Sequence, residues 1–330
     1  MSRETVLSLL LAHPGEYLSG AAMSRTLGVS RAAVWKAIEA LRQEGYEITS
    51  APNRGYRLES APDRVREGEL SGHLAGCLVG SRLLCLDPID STNTEAKRQA
   101  MAGAPEGLVV LAEEQTGGRG RLGRSFQSPR GCGLYLTALL RPQLPPIEVV
   151  DFTAWVAVAV CDGIQAACGV RPRIKWTNDI VLGGRKLCGI LTELGLEGES
   201  NALDYLITGI GVNVNQRTED FLPEVRPIAV SLAQELGRPV RRAELAVEII
   251  RALDRMYAGF PDNKAEYLAR YRADCLTPGN QVQLITPVSR EEAFALEIDD
   301  QFRLVVEYPD GRRAALSAGE VSVRGMYGYV

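Results

Sequence analysis

Residues 116–131 read TGGRGRLGRSFQSPRG, and neither helical nor strand periodicity accounts for them. Gly117, Gly118, Gly120 and Gly123 are interleaved with Arg119, Arg121 and Arg124. Glycines let a chain wrap its amides around anionic oxygens, and guanidiniums add charge and forked donors. A solvated basic loop is the alternative reading. Two familiar glycine patterns overlap here, and neither fits. Gly118, Gly120 and Gly123 match G-x-G-x-x-G. However, the stretch Cys132–Leu140 alternates like a strand where a dinucleotide-binding helix should open, and no acidic residue lies near position 143. The run from Gly118 to Ser125 approaches G-x-x-x-x-G-K-[ST], with Arg124 in place of lysine and again no helix after it. The segment therefore predicts a phosphate-binding loop of a different architecture, entered from a strand at 107–115.

On the N-terminal side, a short strand at Arg82–Leu86 leads into DPIDSTNTEAKRQAMAG. Thr92 with Glu95 fits a T-x-x-E capping box, which places Ser91, Thr92 and Asn93 at a helix N-terminus. Such a terminus either caps itself or holds a small polar head group. On the C-terminal side, 147–168 reads as a buried helix, followed by RPRIKWTNDIVLGGRKLCGILTEL. Gly183-Gly184 predicts a two-residue hairpin turn between strands at 179–182 and 187–193. Lys175, Trp176, Asn178 and Asp179 fall at the start of that hairpin. Lys186 opens its second strand, with its stem held by apolar neighbours and its head directed. The run ALDYLITGIGVNVN predicts a central strand whose glycines allow close backbone approach and which ends near Asn213 and Asn215. Amphipathic helices follow at 241–257 and 263–273. From Cys275 onward short alternating strands predict a small β-barrel, with Arg324 in its last segment, GEVSVR.

The first sixty residues read differently. Ser19 caps a short helix ending at Leu27, Gly28 makes a tight turn, and Ser30 caps a second helix with Val34, Ile38 and Leu41 on one stripe. This is a helix-turn-helix, and the hairpin after it carries Arg54 at its tip. Ser30, Arg31 and Lys36 lie where a recognition helix meets DNA. Trp35 could face DNA or the interior. The head has seven basic and six acidic residues, a weak electrostatic footprint. The expected division is a winged helix-turn-helix at 1–60, a linker at 61–67, a mixed α/β domain at 68–274 and a β-barrel at 275–330.

Composition bounds the chemistry. The 330 residues are 45% hydrophobic and 24% charged, ordinary globular values. Net charge is −4, which excludes a uniformly basic binder. His13 and His73 are the only histidines, so histidine-based catalysis or metal binding is not expected. Seven scattered cysteines, at 77, 85, 132, 161, 168, 188 and 275, read as reduced thiols of a cytoplasmic protein. No apolar run predicts a membrane span, and the leucine-rich start reads as a helix, not a signal peptide.

The motifs DSTN, GGRGRLGRSFQSP, KWTND, RKLCGIL and GIGVNVN, in this order, resemble the biotin protein ligase family. The winged head makes the chain similar to the bifunctional bacterial type, both ligase and biotin-operon repressor. The resemblance covers essentially the whole chain and implies a multidomain α+β fold: a winged helix-turn-helix, a biotin/lipoate-type ligase domain and an SH3-like barrel. It implies Ser91, Thr92, Asn93, Gln115, Arg119, Gly120, Arg121 and Lys186 as biotin contacts, with Arg121 and Lys186 acting in catalysis. It implies Arg121, Arg124, Phe126, Asn178, Asn213 and Arg324 around the nucleotide, and Asp179 in the magnesium region. Phe126 stands where relatives can carry tryptophan, and Thr177 where proline is commoner. Implied substrates are biotin and ATP with Mg2+, with no tightly bound prosthetic group. Implied partners are a biotin carboxyl carrier domain, operator DNA and, with adenylate bound, a second copy; no membrane is implied. Alternatives are a ligase without repressor use, a lipoate-type ligase and a non-enzymatic biotin sensor.

Overall fold

A computed structural model describes residues 3–198, 200–286, 289–317 and 322–325, with the backbone only at Leu122, Ser322, Arg324 and Gly325. The head begins with α1 (Arg3–Leu11), α2 (Gly20–Leu27) and α3 (Arg31–Gln43). Ser19 and Ser30 cap the second and third helices as expected, their Oγ atoms accepting from the amides of Ala22 and Ala33. Gly28 takes φ 67° between them, the left-handed conformation a tight turn requires. Strands β1 (Glu47–Ala51) and β2 (Gly55–Ser60) form the wing. Val6, Leu7, Leu10, Met23, Val34, Ile38, Leu41, Tyr46 and Ile48 make a core of the head's own. Arg42 ties α3 to the wing through the carbonyl of Ile48 (2.9 Å) and Ser50 Oγ (2.7 Å). A Cβ on Gly55 would fall 2.1 Å from the Leu18 carbonyl oxygen, so only glycine lets the wing close on the α1–α2 loop.

The stretch expected as a linker is strapped down. The Asp63 carboxylate accepts from the Arg242 amide and Nε (2.8 and 2.9 Å), and the Val65 amide donates to Glu113 (2.8 Å). Helix α4 (Glu67–Leu70) follows, and its Glu69 accepts a 2.6 Å bond from the Tyr46 hydroxyl. The polar composition marks a buried ionic seam here, not a loose tether.

The central unit contains β3 (Arg82–Leu86), α5 (Thr92–Met101), β4 (Leu108–Ala112), β5 (Gly133–Leu140), α6 (Phe152–Cys168), β6 (Arg173–Lys175), β7 (Asp179–Leu182), β8 (Arg185–Leu196), β9 (Leu203–Asn213), α7 (Leu232–Leu236), α8 (Arg242–Ala258) and α9 (Lys264–Asp274). The sheet order is β3-β4-β5-β9-β8-β7-β6, with β3 and β4 parallel and the remaining pairs antiparallel. The run read as a central strand is indeed the middle one. Alternate residues divide the two faces. Leu134, Leu136, Ile190, Leu206 and Ile210 pack under α6 and α8, while Val110, Leu139 and Ile207 pack on Ala96 and Ala100 of α5.

Strands β10 (Gln281–Ile285), β11 (Arg290–Ile298), β12 (Leu304–Glu307), β13 (Arg313–Leu316) and β14 (Ser322–Gly325) form an antiparallel unit in the order β13-β12-β11-β10-β14. Its core is continuous with the central one. Trp176 fastens the two together, its Nε1 donating to the Phe302 carbonyl at 3.0 Å.

Candidate functional site

Helix α5 covers only one end of its sheet face. Toward the other end that face presents Gly189, Gly209 and Gly211 on adjoining strands, with Gly189 paired to Gly211. The missing side chains leave a floor of bare backbone, and the residues read as functional gather around it.

Helix α5 starts at Thr92 with Ser91 as its N-cap, one residue earlier than the expected capping box, and the Ser91 side chain makes no cap bond. Thr92 instead points across the sheet. Its amide and hydroxyl both donate to Gln115 Oε1, at 2.9 and 3.0 Å, and Gln115 Nε2 donates to Ser128 Oγ at 2.8 Å. Asn93 turns inward. It receives the Thr137 hydroxyl (2.7 Å) and donates to Glu193 (2.8 Å) and the Leu191 carbonyl (3.2 Å). A Cβ on Gly209 would lie 1.9 Å from Asn93 Oδ1, so glycine there admits the amide. Asn93 therefore has its hydrogen-bonding capacity taken up within the protein and anchors α5. Ser91 is only 3% exposed and its side chain makes no hydrogen bond among the described residues, which leaves its hydroxyl available beside the floor. Thr137, Ser128 and Glu193 were not singled out from sequence. Thr137 could have been, as the one polar residue in GLYLTALL.

The glycine-arginine segment folds back on itself. The Gly120 amide donates to the Arg124 carbonyl (2.7 Å), and the Phe126 amide to the Gly118 carbonyl (2.9 Å). This sets the Phe126 ring on the floor, where a Cβ on Gly211 would come within 2.5 Å of it. Its edge meets Tyr135, with ring centroids 6.4 Å apart. Arg119 and Arg124 remain at the surface, while Arg121 is half-buried. Arg121 Nη1 donates to Asn178 Oδ1 at 3.0 Å. Burial pulls the Arg121 pKa down against the opposing field of Asp179, while Arg124 adds to the lowering. A guanidinium remains charged under such a shift, so the site holds a partly desolvated cation.

Lys186 Nζ donates to Asp179 Oδ1 at 2.6 Å, and the Lys186 ammonium lies 3.5 Å from the Cβ position of Gly189. Both Gly183 and Gly184 have positive φ, 56° and 74°, which delivers the hairpin turn expected there. Arg121 and Lys186 thus converge on the neighbouring residues Asn178 and Asp179. That pair is held from behind, because the Asn178 Nδ2 donates to the Ile190 carbonyl and Tyr271 donates to the Thr177 carbonyl. Asn213 touches this convergence only through the backbone, its Nδ2 donating to the Lys186 carbonyl at 3.4 Å. Its Nδ2 donates to the Val230 carbonyl (3.2 Å) and its Oδ1 accepts from Gln216, so it braces the strand end. The side chain of Arg324 lies outside the described residues. No cluster of three or more metal-ligating side chains occurs among the described residues, and Asp179 is a single carboxylate. The floor, the Thr92–Gln115–Ser128 chain and the two cations together suit a small polar ligand joined to a phosphate.

On the head, Trp35 is 53% exposed on α3, which answers the question the sequence left open. The side chains of Arg31, Lys36 and Arg54 have no carboxylate partner among the described residues. Ser30 serves as the N-cap.

The chain also matches known families and proteins. Residues 86–213 match the model of the biotin/lipoate A/B protein ligase family, and residues 2–57 match a helix-turn-helix domain. The chain is 36% identical over 317 residues to the bifunctional ligase/repressor BirA of Bacillus subtilis (strain 168), covering 96% of this chain and 97% of that protein. It is 32% identical to the protein of the same description from Escherichia coli (strain K12), with 96% of each covered. The structure of biotin protein ligase from Aquifex aeolicus in complex with biotin and ATP superposes with a TM-score of 0.64 at 26% identity, covering 74% of this chain and 99% of that one.

Proposed function

The chain belongs to the biotin/lipoate A/B protein ligase family, in its bifunctional ligase/repressor branch, and from that premise we propose which residues do the work. It is an ATP-dependent biotin protein ligase and a DNA-binding repressor, with biotin and ATP as substrates. The observation that carries the assignment of roles is the convergence of Arg121 and Lys186 on Asn178 and Asp179 beside a glycine floor.

Biotin lies on the floor with its ring end toward Ser91, Thr92 and Gln115, while Asn93 holds the helix that presents them. Its carboxylate oxygen attacks the α-phosphorus of ATP, forming a P–O bond as the bond to pyrophosphate breaks. Lys186 and Arg121 transfer from Asp179 and Asn178 to the carboxylate and phosphate oxygens, so stabilisation is aimed where charge develops. Asp179, once released by Lys186, would supply one oxygen to the magnesium of the ATP complex. Arg119, Gly120 and Arg124 close over the adenylate, and Phe126 moves from the floor to the nucleotide base. The amine of a carrier-protein lysine then attacks the acyl carbon, the C–O bond to AMP breaks, and the amine proton is lost. Placement of the reactants and water exclusion suffice for both steps.

Partner and location readings form part of the proposal. A homodimer is supported by β8, whose residues 192–196 pair only with β9 among the described strands. Leu194 and Leu196 are exposed there, so a second copy could extend the sheet. Seven unpaired thiols support a cytoplasmic setting, and no described helix is long and apolar enough to cross a membrane. The division into head, strap, ligase and terminal strand unit at 1–60, 61–67, 68–274 and 275–330 assigns DNA reading to the first and adenylation to the third. Biotin-dependent pyrophosphate exchange with ATP tests the reading. Exchange with biotin and none with lipoate is expected; exchange with lipoate alone would overturn it.

A further inference from the structure

The wing's arginines meet different partners. Arg57 is neutralised by Glu59, Nε to Oε1 at 2.7 Å, and that carboxylate also accepts from Thr49. Arg54, at the wing tip, has no carboxylate partner among the described residues. Its guanidinium instead stands 4.3 Å above the ring of Tyr17, with that of Arg57 4.8 Å from the same ring. Tyr17 comes from the α1–α2 loop, just before Leu18, whose backbone pairs with Tyr56 of the wing. The ring is thus carried by the element on which the wing closes.

A carboxylate would hold an arginine by cancelling its charge. An aromatic face attracts the cation through its quadrupole and leaves the net charge intact. It also covers one face of the guanidinium plane and leaves the in-plane N–H donors free, and those donors are what a phosphate takes. Of the other head arginines, Arg3 and Arg42 are paired to Glu44 and Glu39, so the head's small net charge understates what it presents. Among the described residues, its cations without a carboxylate partner are Arg25, Arg31, Lys36 and Arg54.

We propose that Tyr17 is a positioning residue for DNA binding, a pedestal that holds Arg54 ordered and still charged for a backbone phosphate beside the groove occupied by α3. This rests on the repressor reading of the head and adds a residue that the helix-turn-helix pattern does not identify. It also explains why a wing tip with no counterion is tolerable at rest.

The test uses the full chain with biotin and ATP-magnesium, and a labelled random-sequence DNA duplex of about four helical turns, read by anisotropy across a salt series. Tyr17→Ala should weaken binding about two- to fivefold, the size of an exposed cation–π contact, with the salt slope retained because the cation remains. Arg54→Ala should weaken binding and lower the slope by about one. Tyr17→Phe should bind as the parent does, and all variants should keep ligase activity. Adding Tyr17→Ala to Arg54→Ala should cost nothing more. Parent-like binding by Tyr17→Ala, or an equal loss in the Arg54→Ala background, would overturn the proposal. Parent-like binding by Arg54→Ala would overturn it as well, whereas no duplex binding by the parent would count against the DNA-binding reading of the head.

Discussion

The two functional surfaces keep their cations in opposite states. At the ligase floor, Lys186 rests on Asp179 and Arg121 on Asn178. On the head, Arg31, Lys36 and Arg54 lack carboxylate partners among the described residues. A small anion entering the floor must displace protein partners, so only a ligand that satisfies the whole site repays the exchange. A polyanion approaching the head meets charges already free, which suits fast and salt-sensitive association. Paired cations discriminate, and unpaired ones attract.

That contrast can be broken most severely at Lys186. Lys186→Ala should lower pyrophosphate exchange about a hundred- to a thousandfold, with the fold retained by circular dichroism. Arg121→Gly should make adenylate but fail to retain it. Released adenylate, read by chromatography, should rise about tenfold, since one charge-assisted contact is worth about 1.5–3 kcal/mol; unchanged retention would contradict the role. On the head, Arg31→Ala should reduce the slope of log affinity against log salt by about one while leaving exchange untouched. An effect on exchange, or none on the slope, would erase the distinction between the surfaces.

A separate effect concerns the seam between them. Burial pushes the Glu69 carboxyl up to about 7, against the lowering influence of the Tyr46 hydroxyl and Arg241; Asp63 and Glu113 add to the rise. The folded protein therefore favours the protonated acid, and this contribution is lost as pH rises from the usual carboxylate range through about 7. Glu69→Gln should remove that dependence. It should gain on the order of 2 kcal/mol relative to the parent at pH 8, with little difference near pH 4. Thermal unfolding across that range measures it, and parallel pH profiles would contradict it.

Much of this was legible in the sequence because the signals were local. Ser19, Gly28 and Ser30 mark the helix ends by cap chemistry, Gly183-Gly184 marks a turn, and Val34, Ile38 and Leu41 mark a buried stripe. The missed features are long-range. Asn93 looks like a ligand contact until the sheet supplies Leu191 and Glu193 as its partners, almost a hundred residues away. The polar linker looks loose until Arg242, fully buried, reaches Asp63 and Glu113. Tyr17 carries no sequence signal, because its function depends on a wing forty residues further along.

The central claim is that Lys186 and Arg121 leave their resting partners for the activated vitamin. A crystal structure with biotin and ATP-magnesium tests it most directly. The account predicts Lys186 Nζ off Asp179 and within hydrogen-bond reach of a carboxylate or phosphate oxygen, with Phe126 lifted from Gly211. An intact Lys186–Asp179 pair with the ligand bound elsewhere would contradict it.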